Sequence, residues 1–303
     1  MTNSKEGKRR RYIPHKAAAE FRPTMDWTIE EAKKEYSSRT FPFEVDRVIY
    51  YNCIEGMKQL PDESIDMIVA DPPFGLNFSE KETLYNRKKD KVVDGYKEVD
   101  TKSYASFTRA WIGQTPRILK KHGGIWIFSG WTNLKDILNA VDEHGFTIIN
   151  HIIWKYQFGV FTRKKFVTSH YHVIFAVKNA KKYFFNKVEH YSLDVWEIKR
   201  RYQPRVRKNA TKLPVEVVLR CIDFGSKPGD LILDPFMGNG TTAVACKGSF
   251  RHFIGFEANP SLKEIIDANL AKVSLGQFYV PYSQRPDEIV LKARKKFNRE
   301  KTK

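Results

Sequence analysis

Asp71-Pro72-Pro73-Phe74 follows directly on the apolar run Ile65-Asp66-Met67-Ile68-Val69-Ala70, and the reading of this junction decides the fold. A nearly continuous apolar run of this length predicts a strand covered on both faces, as in a parallel sheet. The two prolines fix their own φ, push the residue before each into an extended conformation, and carry no N–H. The strand therefore ends in a rigid loop rich in hydrogen-bond acceptors. Such a loop suits chemistry on a flat, weakly nucleophilic amine. The exocyclic nitrogen of adenine or cytosine has its lone pair delocalised into the ring, and two acceptors on its hydrogens would localise that pair. Asp71 offers a carboxylate oxygen, Pro72 a backbone carbonyl, and Phe74 a face for a flipped base. Read alone, the four residues fit equally well a proline-rich turn in which Asp71 only caps the next few backbone groups.

A second stretch weighs against that plainer reading. Leu231-Ile232-Leu233 runs into Asp234-Pro235-Phe236-Met237-Gly238-Asn239-Gly240-Thr241-Thr242 and then the small residues Ala243-Val244-Ala245-Cys246. Strand, glycine turn and helix start together bring backbone close to a ligand and point N–H groups at an anionic part of it. Phe253-Ile254-Gly255-Phe256 predicts the next strand and ends in Glu257, about twenty residues past the glycines. At that spacing an acidic side chain reaches ribose hydroxyls in nucleotide-binding βαβ units. The missing third glycine argues against a dinucleotide and leaves room for a smaller adenosyl ligand.

On these residues the chain resembles the permuted, beta-class, amino-group DNA methyltransferases that use S-adenosylmethionine. Asp71 to Phe74 match the D-P-P-[YF] signature, and Asp234 to Thr242 match D-P-F-x-G-x-G-T-T. Leu60 to Asp66 look like the family's approach to the catalytic strand, and the likeness spans roughly residues 45 to 272. The resemblance implies a Rossmann-like α/β methyltransferase fold in circularly permuted motif order. Its sheet would be mainly parallel and seven-stranded, with helices on both faces and an antiparallel final strand. The resemblance also implies S-adenosyl-L-methionine as cofactor and catalysis by Asp71, Pro72, Pro73 and Phe74. Cofactor binding would fall to Asp234, Pro235, Phe236, Gly238, Asn239, Gly240, Thr241, Thr242 and Glu257. Asn52 stands where many members carry aspartate, and Thr211 opens a segment that in the family often reads Thr-Gln-Lys-Pro, with Leu213 in place of the lysine.

The target implied is an exocyclic base nitrogen in double-stranded DNA, with adenine N6 favoured because the family's cytosine-N4 enzymes more commonly begin the motif with serine. Cytosine N4, an RNA base, or a DNA-binding protein whose methyltransferase fold no longer turns over are the alternatives. A second copy of the chain and a cognate restriction endonuclease are the further partners the resemblance allows.

Composition agrees with a polyanionic partner. The 303 residues are 41% hydrophobic, enough for one good core, and carry a formal charge of +18 with a pI of about 9.6. Cys53, Cys221 and Cys246 lack paired spacing, so neither a disulfide framework nor a zinc site is expected. That usage fits a reducing cytoplasm, and no apolar run approaches the ~18 residues that a bilayer requires. His170 and His172 sit at strand spacing without an evident third ligand, and packing is the expected role for them and for Trp126, Trp131 and Trp154.

Two basic regions flank the expected catalytic domain of residues 45–283, and a third lies within it. Residues 1–44 begin with Lys5, Lys8, Arg9, Arg10, Arg11 and Lys16, and residues 284–303 end in a similar run. Residues 180–212 hold Lys199, Arg200, Arg201, Arg205, Arg207 and Lys208 among aromatic side chains. Cations on phosphates beside aromatic faces and arginine forks on bases are what reading DNA requires, and the family places its target-recognition segment here. Solvated connectors or loosely packed arms are the plainer alternatives. Residues 76–102, polar and containing Arg87-Lys88-Lys89, are expected to form either a lid over DNA and cofactor or a surface loop.

Overall fold

A computed structural model describes residues 18–73, 99–157, 159, 161–200, 212–285 and 288–301. The apolar runs become strands β1 (Arg47–Ile49), β2 (Ile65–Ala70), β3 (Leu119–Ser129), β4 (Thr147–Lys155), β5 (His170–Val177), β6 (Val195–Glu197), β7 (Leu231–Asp234) and β8 (His252–Phe256). They form one sheet in the order β1-β8-β7-β2-β3-β5-β4-β6. Every neighbouring pair is parallel except β3 with β5 and β5 with β4, so β5 alone runs against the rest. The antiparallel strand implied by the resemblance is therefore present. Among the described residues eight strands stand where seven were expected. The extra one, β6, comes from the basic segment and pairs with β4 because Trp196 is buried against the Trp126 ring, centroids 6.1 Å apart.

Side chains alternate along β2, so Met67 and Val69 join one apolar layer while Ile68 and Ala70 join the other. The first layer is closed by α6 (Val215–Gly225), α7 (Thr241–Gly248) and α8 (Lys263–Ala271). The second is closed by α2 (Cys53–Lys58), α3 (Tyr104–Ile112), α4 (Thr115–Ile118) and α5 (Leu134–Glu143). A parallel sheet buried on both faces is the arrangement that continuous Ile and Val runs favour.

The polar stretch Lys120-Lys121-His122-Gly123 reads as a turn before a strand, yet the strand already begins at Leu119. The register jumps there, with Ile65 opposite Leu119 and Met67 opposite Gly124. Buried Asp66 explains it, because its carboxylate takes a bond from Lys120 Nζ at 2.7 Å and lies 3.3 Å from His122 Nε2. Burial alone would raise this carboxyl, but the contacts with His122 and Lys120 and the Leu231 N–H hold it down at about 2.

Residues preceding β1 fasten this same end of the sheet. Thr28 and Glu31 form a reciprocal cap on α1 (Ile29–Ser38), and Arg39 reaches Asp66 and the Gly229 carbonyl. Asp46, at φ +59°, accepts from the Tyr36 hydroxyl and the Phe253 N–H. On the C-terminal helix α9 (Glu288–Lys301), Ala293 packs with Ala18 and Ala19 while Arg294 donates to the Ala19 and Phe21 carbonyls. Among the described residues no helix is long and apolar enough to cross a membrane.

Candidate active site at the strand C-termini

The site begins with register. β2 and β7 are adjacent and parallel, with Met67 opposite Ile232 and Ile68 opposite Leu233. Asp71 leaves β2 three residues past Ile68, and Asp234 ends β7 one residue past Leu233. Two segments 163 positions apart in the chain thus leave the same edge of the sheet on strands about 4.8 Å apart. Ligands of open α/β sheets bind at such an edge. Pro72 is buried, while Asp71 and Pro73 are half-buried. The Asp71 charge is felt by the buried Tyr104 phenol, which burial, with Asp136 and Asp71 adding, pushes up to about 12. Phe74 lies outside the described residues.

The glycine turn is built for backbone rather than side chains. Gly238 has φ +52° and Gly240 +78°, conformations that favour glycine. Among the described residues, a Cβ on Gly238 would meet nothing nearer than the Phe236 carbonyl at 3.8 Å, which leaves this main chain room for a ligand. Met237 N–H bonds to the Phe256 carbonyl at 2.8 Å, and its side chain lies over Gly255, where an added Cβ would stand 2.0 Å from the Met237 methyl. Gly240 then caps α7, and Thr241 Oγ1 donates to the Leu213 carbonyl at 3.3 Å. That bond uses main chain, so the leucine that replaces the family's usual lysine at 213 does not prevent it. Thr211 is outside the described residues. Asn239 gives its carbonyl to Asn269 Nδ2 at 3.0 Å.

Acidic groups flank the turn. Glu257 follows β8, and its two carboxylate oxygens take the Gly238 and Asn259 N–H groups, each at 2.8 Å. Burial raises its carboxyl above the ordinary value in spite of those bonds. Each oxygen keeps a lone pair able to accept from a ligand hydroxyl. Asp234 is buried, and burial pushes it up to about 7 against the opposing bonds from Thr242 and the Phe236 N–H. Pro235 links it to Phe236, whose ring packs against Phe107 and Trp111 of α3, centroids 5.9 and 5.2 Å away. Phe236 is thus a tether between turn and helix.

Asn52 follows β1 by three residues, and the Ile49 carbonyl that ends β1 accepts the Glu257 N–H at 3.0 Å. The Asn52 side-chain oxygen accepts the Ile54 and Glu55 N–H groups at 2.9 and 3.3 Å, capping α2. S-adenosylmethionine offers ribose hydroxyls, an adenine ring and a charged methionine end. An open glycine backbone, a helix start and a carboxylate with spare lone pairs fit that set.

At the same edge, Lys155 pairs with His170 and Ser129 with His172, so the connection between β4 and β5 emerges on the same side of the sheet as Asp71, about three residues further out. Arg200 is held there, its N–H and carbonyl bonded to the Gln157 side chain at 3.0 and 2.8 Å. Its guanidinium stands 5.6 Å from both the Tyr156 and Tyr171 ring centroids. Lys199 precedes it, while Arg201, Arg205, Arg207 and Lys208 lie outside the described residues, as does most of the expected lid. His151 Nε2 and His172 Nδ1 are 2.7 Å apart, and burial with the neighbouring histidines lowers His172 to about 4. Among the described residues no histidine, cysteine and carboxylate group could hold a metal.

The tryptophans divide. Trp126 and Trp154 are core, but Trp131, two residues past β3, is 62% exposed on the catalytic edge. Packing was the expected role for all three, although Gly130 after a buried strand was the signal that Trp131 starts an edge loop.

Comparison with known proteins agrees with this geometry. Residues 65–268 match the DNA methylase family of N6 and N4 amino-methyltransferases. The chain is 31% identical over 241 residues to Type II methyltransferase M.HinfI of Haemophilus influenzae, covering 73% of this chain and 67% of that one. It is 31% identical over 228 residues to Type II methyltransferase M2.MboI of Moraxella bovis, covering 71% and 83%. The fold superposes on M1.HpyAVI in complex with S-adenosylmethionine, with a TM-score of 0.55 and 23% identity over 74% of this chain and 99% of that one. The chain belongs to the S-adenosylmethionine-dependent amino-group DNA methyltransferases.

Proposed function

We propose that the protein moves the methyl group of S-adenosylmethionine to the exocyclic N6 of an adenine flipped out of double-stranded DNA at a specific site. The observation that carries this reading is the departure of Asp71-Pro72-Pro73 and the Asp234 turn from adjacent strands at one edge. Bound S-adenosylmethionine supplies an electrophilic methyl group on a sulfonium. Asp71 and the Pro72 carbonyl accept the two amine hydrogens, which concentrates the lone pair on nitrogen and opposes the positive charge that develops there; the sulfur–methyl bond would break as the nitrogen–methyl bond forms, S-adenosylhomocysteine would leave, and the nitrogen would then lose one proton to solvent. Pro73 keeps the loop rigid, and Phe74 stacks on the flipped base.

On the cofactor side, Glu257 takes the ribose hydroxyls, and the α7 start with Thr241 and Thr242 receives the methionine carboxylate. Gly238, Asn239 and Gly240 let main chain approach, and Asp234, Pro235 and Phe236 hold the turn in place. Asn52 meets the adenine edge, and Thr211 is assigned to cofactor binding by the family resemblance. The sulfonium is already a strong donor, so catalysis is positioning plus electrostatics and no metal is assigned. Lys199, Arg200, Arg201, Arg205, Arg207 and Lys208 contact the duplex. Because that basic segment is short, a second copy of the chain is a proposed aid to recognition, and a cognate endonuclease a proposed partner.

Adenine rests on Asp71, the residue type at the head of the motif. The test is incubation with mixed-sequence DNA and S-adenosylmethionine, digestion to nucleosides, and identification of the methylated base by mass. N6-methyladenine is expected. N4-methylcytosine would overturn the base assignment, and no methylated nucleoside would overturn the activity.

A further inference from the structure

Between β4 and β5 the chain runs out from the catalytic edge and back. Tyr156 N–H bonds to the Ser169 carbonyl at 2.9 Å, and a Cβ on Gly159 would stand 2.2 Å from the Thr168 carbonyl, so the two arms lie in close contact. Nearer the tip, the Thr162 hydroxyl donates to the Lys165 carbonyl. The hairpin is therefore braced by its own contacts, and its root is held by Gln157 and Arg200.

The tip presents an unusual surface. Phe161 is 79% exposed and Phe166 is 99% exposed, and between them stand Arg163, Lys164 and Lys165. From Tyr156 to His170 there is no aspartate or glutamate. Two aromatic rings left in water on a braced tip mark an interaction surface. Three consecutive cations make the complementary partner a polyanion, and a planar ring beside cations suits stacked bases between phosphates. The root, where Lys155 faces His170, is two to three strands over from Asp71, about 10 to 14 Å across the sheet.

We propose that this hairpin is a DNA wedge. Arg163, Lys164 and Lys165 engage phosphates, while Phe166 enters the base stack next to the target and occupies the space that the flipped base leaves, with Phe161 supporting it. The wedge rests on the proposed base-flipping reading and adds to it the residues that hold the duplex open. Opening a paired base costs stacking and pairing, and that cost is smallest when the base is already mismatched. A residue that fills the vacated space should therefore matter for a paired target and little for a mismatched one.

The experiment uses the full chain and a duplex carrying a site that the wild type methylates, either fully paired or with the target base mismatched. Phe166→Ala should lower kcat/KM on the paired duplex by about tenfold or more and leave the mismatched duplex nearly unaffected. Phe166→Trp should restore the paired rate, and S-adenosylmethionine affinity should be unchanged in both variants. Replacing Arg163, Lys164 and Lys165 together by alanine should reduce the salt slope of duplex binding by about three. Equal loss on both duplexes, no loss on either, or an unchanged salt slope would overturn the wedge. So would a change confined to self-association, which would assign the rings to a second copy of the chain. The paired-against-mismatched comparison does not depend on which base is methylated, so a cytosine product would sink the adenine assignment and leave this one standing.

Discussion

The Glu257 carboxylate accepts the Gly238 backbone N–H at 2.8 Å, joining the end of β8 to the open glycine turn beyond β7. One side chain thereby shapes the turn and keeps oxygen lone pairs for a ligand. Glu257→Ala removes both contributions and should weaken S-adenosylmethionine binding by at least about tenfold, as loss of a charge-assisted bond does. Titration calorimetry checks it. Glu257→Gln keeps the shape but should also bind more weakly, because one of its two carboxylate acceptors becomes an NH₂ donor facing a backbone N–H.

Asp234 gives stability a pH dependence. Its carboxyl, pushed up by burial to about 7 from an ordinary 3.8, holds its proton more tightly folded than unfolded. Its contribution is therefore fully present below pH 3.8 and is lost as pH rises to about 7. Asp234→Asn is neutral throughout, and its amide oxygen can still accept the Phe236 N–H. Melting curves across that window should show the variant gaining on the wild type as pH rises, while parallel pH profiles would contradict the burial argument.

Asn52→Ala removes the acceptor that caps two N–H groups of α2. Denaturant unfolding should show a loss of about 1 kcal/mol, and Asn52→Asp, which can still accept both bonds, should recover most of it. Unchanged stability in the alanine variant would show that the cap contributes nothing.

The Arg200 guanidinium stands within cation–π reach of two tyrosine rings, 5.6 Å from the Tyr156 and Tyr171 centroids. Arg200→Ala should weaken duplex binding about evenly across sequences and reduce the salt slope by about one. Fluorescence anisotropy at several salt concentrations measures both. A sequence-dependent loss would instead point to base reading by this residue.

Much of the site was legible because it rests on short-range rules. Two prolines after an apolar run, and glycines between a strand and a small-residue helix start, have few backbone solutions, so Asp71 and Gly238 to Thr242 could be placed before any coordinates. The extent of β3 was not legible, since Lys120 and His122 read as turn residues until Asp66, more than fifty positions away, is seen buried beside them. The edge strand β6 was hidden for a similar reason, its three residues being strand only because Trp196 finds Trp126. The hairpin tip was missed because exposure has no sequence signature. Phe161 and Phe166 look like core residues until the fold leaves them in water.

The role proposed for Asp71 is to activate the amine of a base held against a cofactor bound at the Asp234 turn. Methyl transfer from labelled S-adenosylmethionine to duplex DNA by Asp71→Ala, measured beside cofactor binding on the same preparation, tests it most directly. Methylation should fall by at least about a hundredfold, the scale of removing a preorganised electrostatic partner, with cofactor affinity retained. Methylation by the variant at close to the wild-type rate would contradict it.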